Sequence, residues 1–206
     1  MSELNNSIIV LCGKGASGKD TTLNNLVGKY SNLQTCVSHT TRTMRKNEVN
    51  GREYYFIDDA EFEGMYSNGS FVETRSYQVA DGNTWFYGMS EAEISDKLSK
   101  GHLIMILDIN GLQELREYYQ DTDIKIASFF IDVDTDIRVR RYLDRDRMTY
   151  EVLQEAIRRI QVDESDFANA RDIVDYVVFN PESSDDSALI VANHLKYLGI
   201  ELYVTE

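Results

Sequence analysis

Gly13-Lys14-Gly15-Ala16-Ser17-Gly18-Lys19-Asp20-Thr21 constrains the fold of this chain more than any other segment. It follows the apolar run Ile8-Ile9-Val10-Leu11 and precedes a stretch with helical periodicity. A strand, a glycine-rich turn and a helix in that order form the setting of a phosphate-binding loop. The glycines let the backbone wrap around a polyphosphate with its N–H groups pointing inward. A helix beginning near Gly18 adds unpaired N–H groups and the positive end of its dipole. Lys19 supplies a mobile charge for the outermost phosphates. Asp20 stands where the pattern G-x-x-x-x-G-K-S/T expects a hydroxyl residue, and Thr21, one place later, would offer a hydroxyl to magnesium. The competing reading is a glycine turn that serves structure alone.

A length of 206 residues suits one α/β domain with inserted subregions, and 42% hydrophobic residues suffice for a core. The formal net charge of -14 disfavours nucleic acid or an anionic membrane as the main partner. It leaves room for a small anion held by local Arg and Lys. Cys12 and Cys36 lie in apolar, strand-like runs and read as buried reduced thiols. No signal peptide, long apolar span or lipidation motif is evident, so a cytoplasmic protein is expected.

Leu23, Leu26, Val27 and Tyr30 recur at helical spacing, and Thr35-Cys36-Val37 reads as a second strand. Tyr54-Tyr55-Phe56-Ile57, Phe71-Val72-Glu73 and Trp85-Phe86-Tyr87 read as short strands, interrupted by a brief helix from about Ala60 to Tyr66. Asp81-Gly82 is a hairpin-type turn signal. This section reads as a small antiparallel insertion. Ser90-Glu91-Ala92-Glu93 is a capping-box pattern whose helix should stop before Gly101. The run from His102 to Ile109 suits a strand buried on both faces, and Ile124 to Val133 a similar one. Ile137 to Leu143 and Met148 to about Asn169 read as helices, Tyr176-Val177-Val178-Phe179 as a last core strand. Ala188, Val191, Ala192, Leu195 and Leu198 mark a closing amphipathic helix. Alternating strands and helices predict a mostly parallel sheet covered on both faces, with ligands beyond the carboxyl ends of its strands.

Several side chains carry candidate chemistry. Ser38-His39-Thr40-Thr41-Arg42-Thr43-Met44-Arg45 follows the second strand, and two arginines three apart make a good site for a second phosphate. The plainer reading is a solvated basic loop. Asp108 ends a buried strand, where an acid can hold magnesium through water, orient an acceptor, or cap the next turn. His39 has no partner at metal-ligand spacing and reads as structural. Arg140, Arg141, Arg145, Arg147, Arg158 and Arg159 crowd one region of a chain with only 21 Lys and Arg. Arginines closing over a transferring phosphoryl group would explain that, as would a charged solvated helix.

The run from Val37 to Phe56 resembles the monophosphate-binding segment of guanylate kinases, which reads S-x-T-T-R-x-x-R, then E, then G-x-x-Y-x-F. The likeness extends from the glycine loop to Val177-Val178-Phe179-Asn180. It implies a P-loop α/β fold with a small mixed monophosphate-binding insertion (38–89), a helical lid (142–159) and a core of 1–37, 90–141 and 160–206 within a single domain. It implies ATP as phosphoryl donor with magnesium, GMP or dGMP as acceptor, and a monomer or homodimer. Lys14 to Thr21, with Gly13, would bind ATP, and Asn180 would lie near the adenine. Thr21 and Asp108 would serve magnesium. Arg42, Arg45, Tyr54 and Tyr87, with Ser38 beside them, would hold the acceptor's phosphate, and Asp108 would contact the acceptor. Glu73 would accept from guanine N1 and the 2-amino group. Lys19, Arg42, Asp108, Arg147 and Arg159 would carry catalysis, with Arg145 an equal claimant to Arg147. Without the resemblance, Glu73 reads as an exposed strand glutamate and the two tyrosines as ordinary packing.

The chain also departs from that pattern. Met89 replaces the Ser or Thr after Y-G, Asn110 replaces the second acid of L-D-I-D, Gly111 arrives early, and Pro181 replaces the Asp after Asn180. The hairpin between Glu73 and Tyr87 is longer than usual. Gly18-Lys19-Asp20 and Asn110-Gly111 are similar to features of the ribose bisphosphate phosphokinases, which generally lack G-x-x-Y-x-F. Two alternatives therefore stand beside the nucleotide kinase: a kinase for a non-nucleotide acceptor such as ribose 1,5-bisphosphate, and a non-catalytic protein-binding module.

Overall fold

The run Ile8–Cys12 forms strand β1, and all its residues are buried. In the computed structural model, which describes residues 6–78, 82–145, 149–180 and 184–205, it is followed by α1 (Lys19–Lys29), β2 (Leu33–Gln34), β3 (His39–Thr40), β4 (Tyr55–Phe56), α2 (Asp59–Ser67), β5 (Phe71–Gln78) and β6 (Thr84–Ser90). Then come α3 (Glu91–Leu98), β7 (His102–Ile106), α4 (Ile109–Tyr118), β8 (Ile126–Asp132), α5 (Thr135–Arg145), α6 (Tyr150–Asp166), α7 (Ala170–Ile173), β9 (Tyr176–Phe179) and α8 (Ser184–Tyr197). Asp81, Arg147 and Pro181 lie outside the described residues.

The main sheet is parallel, in the order β2-β7-β1-β8-β9. Side chains alternate across a strand, so β1 serves two cores at once. Ile8, Val10 and Cys12 join Ile94 of α3, Leu112 and Leu115 of α4 and Ala170 of α7. Ile9 and Leu11 join Leu26 of α1 and Val191 and Leu195 of α8. Each fully buried Leu or Ile stabilises the fold by about 2 kcal/mol. Because β1 sits between β7 and β8, the carboxyl ends of these strands share one edge, where the glycine loop, Asp108 and the entry to α5 are gathered. Among the described residues no helix is long and apolar enough to cross a membrane.

A second sheet, ordered β4-β3-β6-β5, forms the insertion. β3 and β4 are parallel and the other pairs antiparallel. Its own core is aromatic: Phe62 stacks on Phe71 at 4.7 Å, and His39 lies 4.9 Å from Tyr55 and 5.7 Å from Phe71. His39 is therefore part of the packing. A bulge between Phe71 and Glu73 shifts the β5 register, and both Val72 and Glu73 are buried beside it.

Three local expectations need correction. Thr35-Cys36-Val37 is not a strand: β2 ends at Gln34, where the chain leaves the sheet edge for the insertion. Cys36 still packs against the core, and the Val37 N–H donates to Glu93 Oε1 at 3.1 Å rather than to a ladder. The capping box at Ser90 is half formed. Ser90 Oγ accepts from the Glu93 N–H at 3.4 Å, but the Glu93 carboxylate serves Val37 and the Tyr55 hydroxyl instead of returning to Ser90. The apolar run from His102 ends as a strand at Ile106, because Asp108 caps a helix that the apolar pattern hides. Its Oδ1 accepts from the Gly111 N–H at 2.8 Å, and Ile109 opens α4.

Candidate active site

The glycine loop leaves β1 at Cys12 and enters α1 at Lys19. Positive φ falls on Gly18 (94°) and on Ala16 (60°), a residue with a Cβ. Gly18 caps α1 with no side-chain hydrogen bond, so the first turn of the helix has no side-chain cap to compete with an anion. The loop's carbonyls are tied from behind. Arg141 Nη1 donates to Ala16 O and Ser17 O, both at 3.2 Å, and Asn180 Nδ2 donates to Ser17 O at 3.0 Å. Asn180, expected near the adenine, is buried and has its amide on the loop backbone.

Helix α6 holds the loop from the other side. The Gly15 N–H donates to Asp163 Oδ2 at 2.8 Å, and Lys14 Nζ pairs with Glu164. Arg138 of α5, fully buried, donates from Nε to Gly15 O at 2.9 Å and pairs with both acids. Of the crowded arginines, Arg140 pairs with Asp136 on an exposed helix face, while Arg158 and Arg159 line the cleft described below. Arg145 closes α5.

On the insertion, Arg42 is 5% exposed and forks onto Glu48, with Nη2–Oε1 at 2.7 Å and Nη1–Oε2 at 3.0 Å. Its guanidinium packs 5.3 Å from the Tyr54 ring and 5.5 Å from the Phe56 ring. The hydrogen bonds to Glu48 are the main reason its already high pKa rises further. Arg45 is exposed, and its backbone N–H donates to Glu48 Oε2 at 2.7 Å. Tyr54 and Tyr87 meet edge to face at 5.6 Å.

Between the two sheets lies a cleft of about 750 Å³. Gly13, Gly15 and Lys19 line it on the side of the glycine loop; Ser38, Tyr54, Glu73 and Tyr87 line it on the side of the insertion, with Asp108 and Arg159 on its wall. The structure thus brings nine of the expected residues around one space. It places Arg42 behind Tyr54 and leaves Arg45 and Thr21 exposed, off the cleft wall. Glu73 is buried, and burial pushes its carboxyl up to about 7, while Arg75 opposes the shift and Asp108 and Glu114 add to it. Met89 points into the main core.

Sequence reasoning missed three residues. Arg75 shares a strand face with Glu73, two places on, which is the signal that was available. Its Nη1 lies 3.7 Å from Glu73, its Nε reaches Asp108 at 2.8 Å, and its Nη1 reaches Glu114 at 3.0 Å. Arg138 and Asp163 are the others. They sit among charged helical residues, where nothing local distinguishes a buried ion pair from a solvated one.

Comparison with known proteins converges on one family. The guanylate kinase family model matches residues 5–196. The chain is 32% identical over 186 residues to the guanylate kinase of Francisella tularensis subsp. holarctica (strain LVS), covering 88% of this chain and 92% of that protein. It is 25% identical over 201 residues to the guanylate kinase of Legionella pneumophila (strain Lens), covering 95% and 90%. The crystal structure of guanylate kinase from Anaplasma phagocytophilum superposes with a TM-score of 0.62 at 27% identity, covering 95% of this chain and 87% of that one.

Proposed function

The chain belongs to the guanylate kinase family, and from that membership we infer that it transfers the γ-phosphoryl group of ATP to GMP or dGMP. The observation that carries this reading is the single cleft lined by both Lys19 of the glycine loop and Glu73 of the insertion. A carboxylate there accepts from the two adjacent donors of guanine, N1–H and the 2-amino group. Adenine offers no such pair. A sugar bisphosphate would bring a second anion toward Glu73, which speaks against the non-nucleotide alternative. The glycine loop, which keeps its pattern through Lys19, speaks against a non-catalytic module.

The acceptor's phosphate is already anionic, so transfer needs positioning and charge neutralisation more than a strong base. Lys19 and the loop N–H groups would hold the donor phosphates, and Arg159, with Arg145 or Arg147, would neutralise the transferring group. Ser38, Tyr54 and Tyr87 would line the acceptor's phosphate site, with Arg42 and Arg45 supplying positive charge from behind and beside it. Magnesium would find a carboxylate oxygen ligand in Asp108, which lines the cleft. Asp108 already meets Arg75 and the Gly111 N–H, so it would hold the ion through water, while Thr21, exposed and off the cleft wall, would take no part. When bound, the ion would neutralise charge on the donor phosphates. Closure over the cleft would exclude water and limit wasteful ATP hydrolysis.

The test is a panel of nucleoside monophosphates and sugar phosphates assayed for ATP-dependent ADP release. GMP and dGMP should turn over at least about 10²-fold more efficiently than AMP, the scale set by leaving a buried carboxylate unpaired. Preferred turnover of ribose 1,5-bisphosphate, or ATP binding without any turnover, would overturn the assignment.

A further inference from the structure

The phosphate-loop pattern leaves its third position open to any residue, yet in this chain that position is occupied on all sides. Gly15 donates its N–H to Asp163 Oδ2 at 2.8 Å and accepts at its carbonyl from Arg138 Nε at 2.9 Å. Arg138 and Asp163 are themselves an ion pair, and Arg138 Nη1 also reaches Glu164 Oε1 at 3.0 Å. A methyl group on Gly15 would run into the Tyr142 hydroxyl and lie 3.1 Å from Asp163 Oδ2. Glycine here admits the two helices to the loop; its φ is not positive.

Asp163 lines the same cleft as Lys19, where an unneutralised anion would repel a phosphate. Arg138, with no exposed surface, supplies that neutralisation through a charge-assisted pair. Helix geometry adds a second consequence. Arg159 and Asp163 are four residues apart on α6, so they share a face about 6 Å apart along the axis. Pinning Asp163 to the loop therefore sets the distance of Arg159, which lines the same cleft, from the donor site.

We propose that Arg138 and Asp163 are positioning residues for phosphoryl transfer: their ion pair clamps Gly15 and fixes Arg159 of α6 in register with the phosphate loop. The pair touches neither reacting atom in this scheme and acts through Gly15 and Arg159. The proposal rests on the kinase reading given above.

The test compares Asp163→Ala, Asp163→Asn, Arg138→Lys and Gly15→Ala in steady-state kinetics, below the unfolding temperature of each variant. Asp163→Ala should lower kcat about tenfold or more, with KM for GMP within twofold of the parent. Asp163→Asn, whose amide oxygen still accepts from the Gly15 N–H but no longer forms the ion pair with Arg138, should recover only part of the loss. Arg138→Lys, whose ammonium lacks the fork, and Gly15→Ala, which crowds the clamp, should each reproduce it if Asp163→Ala fails to fold. In an Arg159→Ala background, Asp163→Ala should cost no more than twofold further. A kcat within twofold of the parent in the folded variants, or full additivity with Arg159→Ala, overturns the proposal. If the parent itself fails to phosphorylate GMP, the kinase reading falls instead. The clamp is then judged by amide exchange at Gly15 and by calorimetric ATP binding. Asp163→Ala should speed that exchange and weaken ATP at least tenfold, and no change in either overturns it.

Discussion

The guanidinium of Arg75 and the carboxylate of Asp108 meet at 2.8 Å across the seam between the insertion and the main sheet. One lies on β5, the other at the start of α4, 33 residues apart. Arg75 also reaches Glu114 and stands 3.7 Å from Glu73, so one cation serves three acids. Removing it leaves those carboxylates uncompensated. Arg75→Met should therefore destabilise the protein by about 2 kcal/mol, a figure reduced because Asp108 is partly exposed. It should also raise KM for GMP with little effect on KM for ATP. Chemical denaturation and a two-substrate kinetic matrix check both, and an unchanged KM for GMP contradicts the link from Arg75 to the base pocket.

If Glu73 holds guanine as proposed, acceptor use should depend on pH. Burial pushes its carboxyl up to about 7, and only the ionised form accepts both guanine donors. The value of kcat/KM for GMP should fall as pH drops below 7, following one protonation in the free enzyme. Arg75→Met should move that limb to higher pH, because Arg75 is the main group opposing the shift. The linkage to stability has a definite sign. A carboxyl whose folded value is raised favours the fold while protonated and loses that contribution as pH rises through about 7. Glu73→Gln should thus gain about 2 kcal/mol on the parent between pH 5 and pH 8 in urea melts, while losing GMP turnover. A pH-independent difference between the two proteins would remove the basis for this assignment.

What was readable in the chain is what local chemistry determines. The glycine loop after Ile8–Cys12, the cap at Ser90 and the amphipathic pattern of α8 each depend on neighbours a few residues away. The register from Ser38 to Phe56 was legible for the same reason, and it pointed to Ser38 and Tyr54, which line the cleft. Long-range electrostatics were not. Arg138 reaches Gly15 across 123 residues and looks, in its own helix, like any solvated arginine. Asp108 read as a strand-end ligand, with capping as the alternative. The structure shows the cap, and the early Gly111 is the residue whose N–H it accepts. Thr35-Cys36-Val37 misled because an apolar run signals burial, and burial at a sheet edge does not require pairing.

Both thiols should be inert in the native state. Burial is the largest cause pushing Cys12 and Cys36 up to about 12, which leaves a thiolate fraction of about 10⁻⁴ at pH 8. Labelling by an aromatic disulfide reagent should be slow in buffer and immediate in denaturant, with two thiols released per chain. Fast labelling of Cys36, the less buried of the two, would show that the segment after β2 opens readily.

Lys19 and Arg42 should fail in different ways, because they stand on opposite sides of the transfer. Lys19 lines the cleft on the side of the glycine loop and, in the proposed reaction, would meet charge that develops on the outer phosphates. Lys19→Ala should lower kcat by about 10²-fold or more, while calorimetry still detects GMP. Arg42 stands behind the acceptor site, forked onto Glu48 and packed against Tyr54. Arg42→Ala should chiefly raise KM for GMP, at least tenfold, through loss of charge and loosening of Tyr54 against Tyr87. Arg42→Lys should not rescue it. A lysine keeps the charge but lacks the planar fork that meets both Glu48 oxygens and the flat face that packs on two rings. If Arg42→Lys behaves like the parent, charge alone matters at this position and the fork to Glu48 has no part in acceptor binding. If Arg42→Ala lowers kcat as Lys19→Ala does and leaves KM for GMP alone, Arg42 belongs to the donor side and the division of the cleft argued here is wrong.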